Sequence, residues 1–407
     1  MTVSRRNVLY GSAAVGVAAA VRPALAKGKY DDGASDSEIK IGHTNPYSGP
    51  ASAYGAIGKA ISAYFDKVNA EGGINGRKIR FITQDDGYSP PKTVEVIRQL
   101  VEQEKVLFVF NTLGTPPNTA IQKYMNAKKV PQLFVATGAS KWGKPKEFPW
   151  TMGWQPDYNT EGQIYAKYLL ANVKDPKIAV LYQNDDYGKD YLEGFHAGLG
   201  AAGKKAIISE VSYEVTDPTV DSQVIQMANT KANAFFNITT PKFAAQAIKK
   251  AGEIGWKPLH FLNNVSASVS SVLKPAGFEN GQGIVTAAYL KDPTDKQWQG
   301  HQAYIEWLDW MKKYNAQGNV NDSFNVYGYT VAQTVVQTLK QCGDDLTRVN
   351  VMKQAASLKN LSLPMLLPGI KINTSPTDFY PIQSVQLQRF KGETWELFGD
   401  VLSAESA

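Results

Sequence analysis

The sequence predicts an α/β protein of mostly parallel sheets divided between two lobes. Three observations carry that prediction. Short apolar runs alternate with amphipathic segments of roughly 12 residues, the order that right-handed βαβ crossovers produce. Several of those runs, LFVFNT and PQLFVAT among them, are apolar almost throughout, as expected of strands covered on both faces. The chain's 407 residues also exceed the usual size of one core, so two lobes are the default.

Each element has a local justification. Ile39 and Ile41 alternate with polar neighbours, as in a strand. Ile57, Ile61, Tyr64 and Val68 then recur at helical spacing and define one apolar face. The loop between them is dense in Gly, Pro, Ser and Tyr. It leaves the C-terminal end of a first strand, which is where open α/β sheets hold ligands. VEVIRQLVEQE follows Pro90-Pro91 and aligns Val94, Ile97 and Val101, while TAIQKYMNAKKV reads as the crossover helix between LFVFNT and PQLFVAT. GQIYAKYLLANV, KIAVLYQ, a helix through Tyr191 to Leu199 and KAIISEVSYEV continue the alternation. SQVIQMANTKA, AFFNIT, KFAAQAIKKAGEIG and HFLNNV extend it. The pattern then loosens. QWQGHQAYIEWLDWMKKY and VYGYTVAQTVVQTLKQC predict long helices, with no strand between them, returning to the first lobe. PIQSVQLQRF and TWELFG around Lys391-Gly392-Glu393 predict an antiparallel hairpin that finishes the second.

Composition is that of an ordinary globular protein, 43% hydrophobic and 20% charged. Residues 1–26 read differently. Arg5-Arg6, an apolar run to Val21 and Ala24-Leu25-Ala26 form a twin-arginine-type export signal, with an ordinary secretory signal as the alternative. The run is too short and alanine-rich to span a bilayer. The mature protein is expected to begin near Lys27, in the periplasm, as a monomer. Loss of Arg5, Arg6 and Arg22, with no acid, would halve the net charge of +6. The remaining excess is scattered, without the basic stripe of a nucleic-acid binder. Cys342 is the only cysteine, so no intramolecular disulfide is possible; sharing a helical face with Val331, Val335 and Leu339, it reads as a buried thiol.

Motifs for chemistry are few. Gly198-Leu199-Gly200-Ala201-Ala202-Gly203 matches G-x-G-x-x-G but lies between a helix and a strand, the reverse of a dinucleotide site, so it reads as a helix stop. His43, His196, His260 and His301 lack metal spacing. Neither a Walker A sequence nor a GxSxG elbow occurs. Asp85-Asp86 and Asp185-Asp186 each follow a strand, where capping the next helix accounts for them. No cofactor, metal or catalytic residue is expected.

The strand-end loops fit binding better. Asn111-Thr112-Leu113-Gly114-Thr115 runs into Pro116-Pro117, which suit a first helical turn, so free amides are expected to face the loop. Ala136-Thr137-Gly138-Ala139-Ser140 closes the next strand with small residues. Hydroxyls, N–H groups and a helix dipole together suit a carboxylate. Tyr54, Tyr182 and Tyr187 are candidate rings above an organic ligand.

On these loops the chain resembles the periplasmic substrate-binding proteins of ABC transporters of the branched-chain amino acid type. The likeness spans the mature sequence. It is most specific in SGPASAYG, NAEGGINGRKIRFITQDDGYSPPKT, KIAVLYQNDDYGKDYLEGF and GETWEL. The resemblance implies two Rossmann-like lobes joined by three crossing strands, residues 39–156 with 284–363 and residues 157–283 with 364–401. It also implies hinge closure on a small solute and delivery to a membrane permease. By the same resemblance, Leu113, Gly114, Thr115, Ala136, Thr137 and Gly138 hold a ligand carboxylate, and Tyr54 and Tyr187 lean over the ligand. The family's acid for an α-ammonium falls on Asn264, and its second-lobe tyrosine is replaced near Thr240. An amide cannot neutralise a buried ammonium. The expected ligand is therefore an aromatic acid of benzoate or hydroxycinnamate type, with Asn263, Asn264 and Thr240 towards a ring hydroxyl. Amino acids, served by Asp185 or Asp186, and amide or urea-like solutes are alternatives within the binding class. An exported enzyme or a chemosensory receptor on the same frame are alternatives outside it.

Overall fold

A computed structural model describes residues 28–403 of the chain. The export signal expected over residues 1–26 lies outside the described residues.

The first part runs β1 (Lys29–Tyr30), β2 (Glu38–Asn45), α1 (Gly55–Ala70), β3 (Lys78–Asp85), α2 (Pro90–Arg98), β4 (Phe108–Phe110), α3 (Thr115–Lys128), β5 (Gln132–Val135) and β6 (Thr151–Gly153). The chain then crosses to α4 (Tyr158–Asn172), β7 (Ile178–Gln183), α5 (Asp186–Lys204), β8 (Ile207–Tyr213), α6 (Asp221–Asn229), β9 (Ala234–Ile238), α7 (Pro241–Glu253), β10 (Leu259–Leu262), α8 (Lys274–Ala276) and β11 (Val285–Ala288). It ends with α9 (Gln302–Tyr314), α10 (Ser323–Cys342), β12 (Asp345–Leu346), α11 (Arg348–Ala355), β13 (Ser384–Lys391) and β14 (Thr394–Ser403).

Two sheets result. The first is parallel throughout, in the order β3-β2-β4-β5-β6. The second has the order β14-β13-β11-β10-β9-β7-β8, parallel except where β13 runs antiparallel to β11 and β14. The apolar runs predict this well: β4 and the whole of β5 are buried, as strands covered by helices on both faces must be. The closing hairpin turns at Gly392, whose φ of 64° suits glycine. Helix α5 is interrupted at Gly200 (φ 66°), within the glycine motif that precedes β8.

The late helices return to the first sheet as expected. Helix α10 lies against α1, and Gly328 allows the approach: a Cβ there would sit 2.7 Å from the carbonyl oxygen of Ile57. One boundary differs from expectation. Val285–Ala288, assigned from the resemblance to the first lobe, is hydrogen-bonded between β10 and β13 in the second sheet. The short apolar strand satisfies its backbone there before the chain crosses back. Beyond it, Leu367 N–H bonds to Tyr289 O (3.0 Å) and Lys291 N–H to Met365 O (2.9 Å), so two crossing segments pair with each other. The third crossing follows β6 and enters α4, whose N-cap is Asp157.

Candidate functional site

In each sheet the strand order reverses at one place, between β2 and β4 and between β7 and β9. Loops leaving neighbouring strands at such a point diverge to opposite faces and open a crevice. Here the two crevices face one another and enclose a cavity of about 100 Å³. That space suits a small solute. Its lining is mostly apolar and aromatic: Tyr54, Tyr88, Tyr158, Tyr187, Tyr289, Phe324 and Tyr327 all contribute.

The first-lobe wall is built from the ends of β4 and β5. Leu113 and Ala136 form a parallel bridge, and Gly114 N–H donates to Ala136 O (3.2 Å). Gly114 has φ 98°, and a Cβ on it would meet the Tyr88 ring at 2.4 Å, so only glycine fits. Helix α3 starts at Thr115 with Pro116 and Pro117 behind it. Prolines have no N–H, so the free amides expected at this helix start reduce to that of Thr115, which has no backbone acceptor among the described residues. Its side chain compensates. Trp142 Nε1–H faces Thr137 Oγ1 (3.3 Å), and Thr137 Oγ1 lies 2.5 Å from Thr115 Oγ1. With Thr137 accepting from the indole and donating to Thr115, the Thr115 hydroxyl proton is left for a ligand oxygen.

The second-lobe wall is more elaborate. Tyr158 stacks on Tyr191 (4.3 Å between centroids, 19° between planes), and Tyr187 meets Tyr158 edge-on at 5.5 Å. The Tyr187 hydroxyl is buried and has no hydrogen-bond partner among the described residues. Thr240 Oγ1 is engaged by Gln183 Oε1 and Tyr213 OH, each at 3.3 Å. Behind Asn264 lies Glu161, which is 1% exposed. Its carboxylate accepts from Tyr165 OH (2.6 Å), Tyr191 OH (2.8 Å), Asn264 N–H (2.8 Å) and the Asn264 amide group. Burial pushes the Glu161 carboxyl up to about 7, against the pull of those donors.

Of the residues expected at the site, Tyr54, Leu113, Gly114, Thr115, Ala136, Tyr187, Thr240 and Asn264 line the cavity. Thr137, Gly138 and Asn263 do not. Thr137 supports Thr115 from behind. A Cβ on Gly138 would lie 2.3 Å from Pro156 O, so this residue serves close packing onto the first crossing. Asn263 is fully buried and ties β9 to β10 through Asn237 O (2.9 Å) and Thr239 O (3.0 Å). Neither acid of the Asp185-Asp186 pair lines the cavity: Asp185 accepts from Tyr187 N–H and Gly188 N–H, and Asp186 pairs with Lys141 at 2.6 Å.

Sequence reasoning missed Tyr88, Gln155, Tyr158, Tyr289, Phe324, Tyr327, Lys291 and Asp292, all of which line the cavity. Most come from the crossing segments or helix starts, whose convergence needs the third dimension. Tyr88 was within reach, because it directly follows Asp85-Asp86-Gly87 after β3. The two charged residues are turned to local structure. Lys291 Nζ donates to Pro364 O, with burial lowering its pKa, and Asp292 accepts from Thr294 N–H (2.9 Å) and Oγ–H (2.5 Å), with burial raising it to about 6.

Polar contacts bridge the two walls. Tyr54 OH donates to Val265 O (3.1 Å), and Ser140 donates through both N–H (2.9 Å) and Oγ–H (2.6 Å) to Asp190. Ser268 and Ser271 hydroxyls reach Asp322 (3.0 and 2.8 Å), which also caps α10 through Phe324 N–H. Among the described residues, no group of three or more His, Cys, Asp or Glu is placed to hold a metal, and no helix is long and apolar enough to cross a membrane.

Comparison with known proteins follows the same lines. Leu/Ile/Val-binding protein homolog 7 of Brucella suis biovar 1 is 23% identical over 269 residues, which are 64% of this chain and 66% of that protein. The chain thus spans just under two thirds of that relative's length. A branched chain amino acid ABC transporter structure from Thermus thermophilus with bound valine gives a TM-score of 0.80 at 14% identity, covering 90% of this chain and 96% of that one. A solute binding protein of an R. palustris ABC transporter, in complex with benzoate, gives 0.74 at 21% identity, covering 91% and 98%. Such likenesses establish a shared fold of two α/β lobes. The family model for periplasmic binding proteins matches residues 38–394, and the chain belongs to that family.

Proposed function

We propose that this chain is the exported solute-binding component of an ABC importer, closing on a small aromatic carboxylate and presenting it to a membrane permease. The observation that carries the reading is a cleft between two switch points, walled by seven aromatic rings, with one free hydroxyl and one free amide at a strand tip. Rings of this kind supply apolar area with orientation. The Thr115 N–H and Oγ–H are suited to a carboxylate oxygen at the start of α3. Glu161 is already engaged by four donors and does not line the cavity, and Asp292, which does line it, is turned to Thr294, which together disfavour an α-ammonium. The benzoate complex of the R. palustris protein fits this reading. A branched-chain amino acid is the second reading, favoured by the name of the Brucella relative and by the valine-bound Thermus structure. Export by a twin-arginine signal, a monomeric state and the permease partner belong to the same proposal.

Native mass spectrometry of freshly purified protein tests it, because a closed cleft retains its solute. The expected result is an adduct whose mass matches an aromatic acid. An adduct matching leucine, isoleucine or valine would overturn the ligand assignment.

A further inference from the structure

The side-chain amide of Asn264 has only one workable orientation. Its Nδ2 faces Glu161 Oε2 and lies 3.5 Å from Tyr191 OH. With Glu161 ionised, as it is once pH exceeds about 7, turning the amide over would set its oxygen against the carboxylate oxygen, two acceptors with no proton between them. Glu161 cannot rotate to relieve this, because Tyr165 OH, Tyr191 OH and Asn264 N–H hold both of its oxygens. Tyr165 is itself fixed, since its hydroxyl accepts from Ala287 N–H (2.7 Å) and gives its one proton to Glu161, with Leu262 O 3.1 Å away. The frame therefore ties α4, α5, the end of β10 and β11 together around one carboxylate.

The consequence falls on the other atom of the amide. Asn264 lines the cavity and is only half-buried, and its Oδ1 has no partner among the described residues. Thr240, another polar group on this wall, is engaged by Gln183 and Tyr213, and the Tyr187 hydroxyl, which carries its own proton, is not an obligatory acceptor as the amide oxygen is. The cavity thus presents a fixed acceptor at its second-lobe end, opposite the donors of Thr115. We infer that Glu161 is a positioning residue that locks Asn264 as an acceptor, so that the site selects aromatic acids bearing a ring hydroxyl over those without a donor. This rests on the aromatic-acid reading above and narrows it to hydroxylated benzoates or cinnamates.

A carboxylate at one end and a phenol at the other match the two ends of the cavity in polarity. A buried acceptor left unpaired by a fluoro or unsubstituted ring loses its desolvation without return. Discrimination by a site built around a hydrogen bond is correspondingly large.

The test is isothermal titration of the purified protein, at a pH above 7 where Glu161 is ionised, with 3- and 4-hydroxybenzoate and with the fluorobenzoates substituted at the same positions. The hydroxy acid should bind tighter than its fluoro counterpart by about tenfold or more at the preferred ring position. In Glu161→Gln that ratio should shrink towards one, because a neutral amide at 161 lets Asn264 turn over. In Thr115→Ala both acids should weaken together and keep their ratio. Equal binding of hydroxy and fluoro acids by the wild-type protein would overturn this inference while leaving the aromatic-acid reading standing. An unchanged ratio in Glu161→Gln would overturn the role of Glu161. Binding of none of these acids would overturn the parent reading and this inference together.

Discussion

At the residue scale, the site is a set of protons with known addresses. Thr115 is the clearest case. Its helix start has lost two amides to Pro116 and Pro117, and the chain from Trp142 through Thr137 restores one directed donor. Thr115→Ala is expected to weaken carboxylate binding by about 1–3 kcal/mol, through loss of a buried hydrogen bond. Calorimetry on the variant checks this, and unchanged affinity would place the carboxylate elsewhere. Asn264 is the counterpart in the other lobe, an amide where an acid would serve an ammonium. Cys342, by contrast, is a packing residue: burial pushes its thiol up to about 12, far from reactive.

At the element scale, strands, helices and their order were legible because period and length report them directly. The β2–loop–α1–β3 unit, the buried runs of β4 and β5 and the closing hairpin all stand where their residues imply. The first-lobe half of the site followed, since a strand end and a proline-started helix are local features. The second-lobe half did not. Glu161 sits one turn inside α4, where a charged residue reads as a solvated face, and only packing of α4 on α5 and β11 makes it a buried hub. Tyr158, Tyr289 and Tyr327 reach the cavity from three separate stretches of sequence.

That hub has a measurable titration. The Glu161 carboxyl rises from 4.5 to about 7 on burial. The folded state therefore holds a proton that the unfolded chain has lost, and its stabilising contribution is full below about pH 4.5 and fades as pH rises through 7. Asp190 and Asp292, each raised to about 6, act with the same sign, whereas buried His43 and His260, lowered to about 3, act with the opposite sign between pH 3 and 6.5. The net slope mixes these groups, so the comparison that isolates Glu161 is a difference. Denaturant melts should show the stability of the wild-type protein relative to Glu161→Gln declining from pH 4.5 to 7. A pH-independent difference would mean that Glu161 keeps its ordinary titration when folded.

At the scale of the whole molecule, the two sheets meet through polar bridges that only a closed cleft allows. Ser140 with Asp190, Tyr54 with Val265 O, and Ser268 and Ser271 with Asp322 flank the cavity. In a hinged protein such contacts form with closure, and a ligand drives closure only by binding the closed state better. The resemblance foresaw two lobes, yet the boundary after Ala288 depends on hydrogen bonding of β11 that no local pattern encodes.

Thermal denaturation against a panel of hydroxylated aromatic acids, leucine and valine tests the central claim most directly. A hydroxylated aromatic acid at about 100 times its dissociation constant should add roughly 2.7 kcal/mol to stability, while the amino acids leave the transition unmoved. Stabilisation by leucine or valine and by none of the aromatic acids would contradict the account.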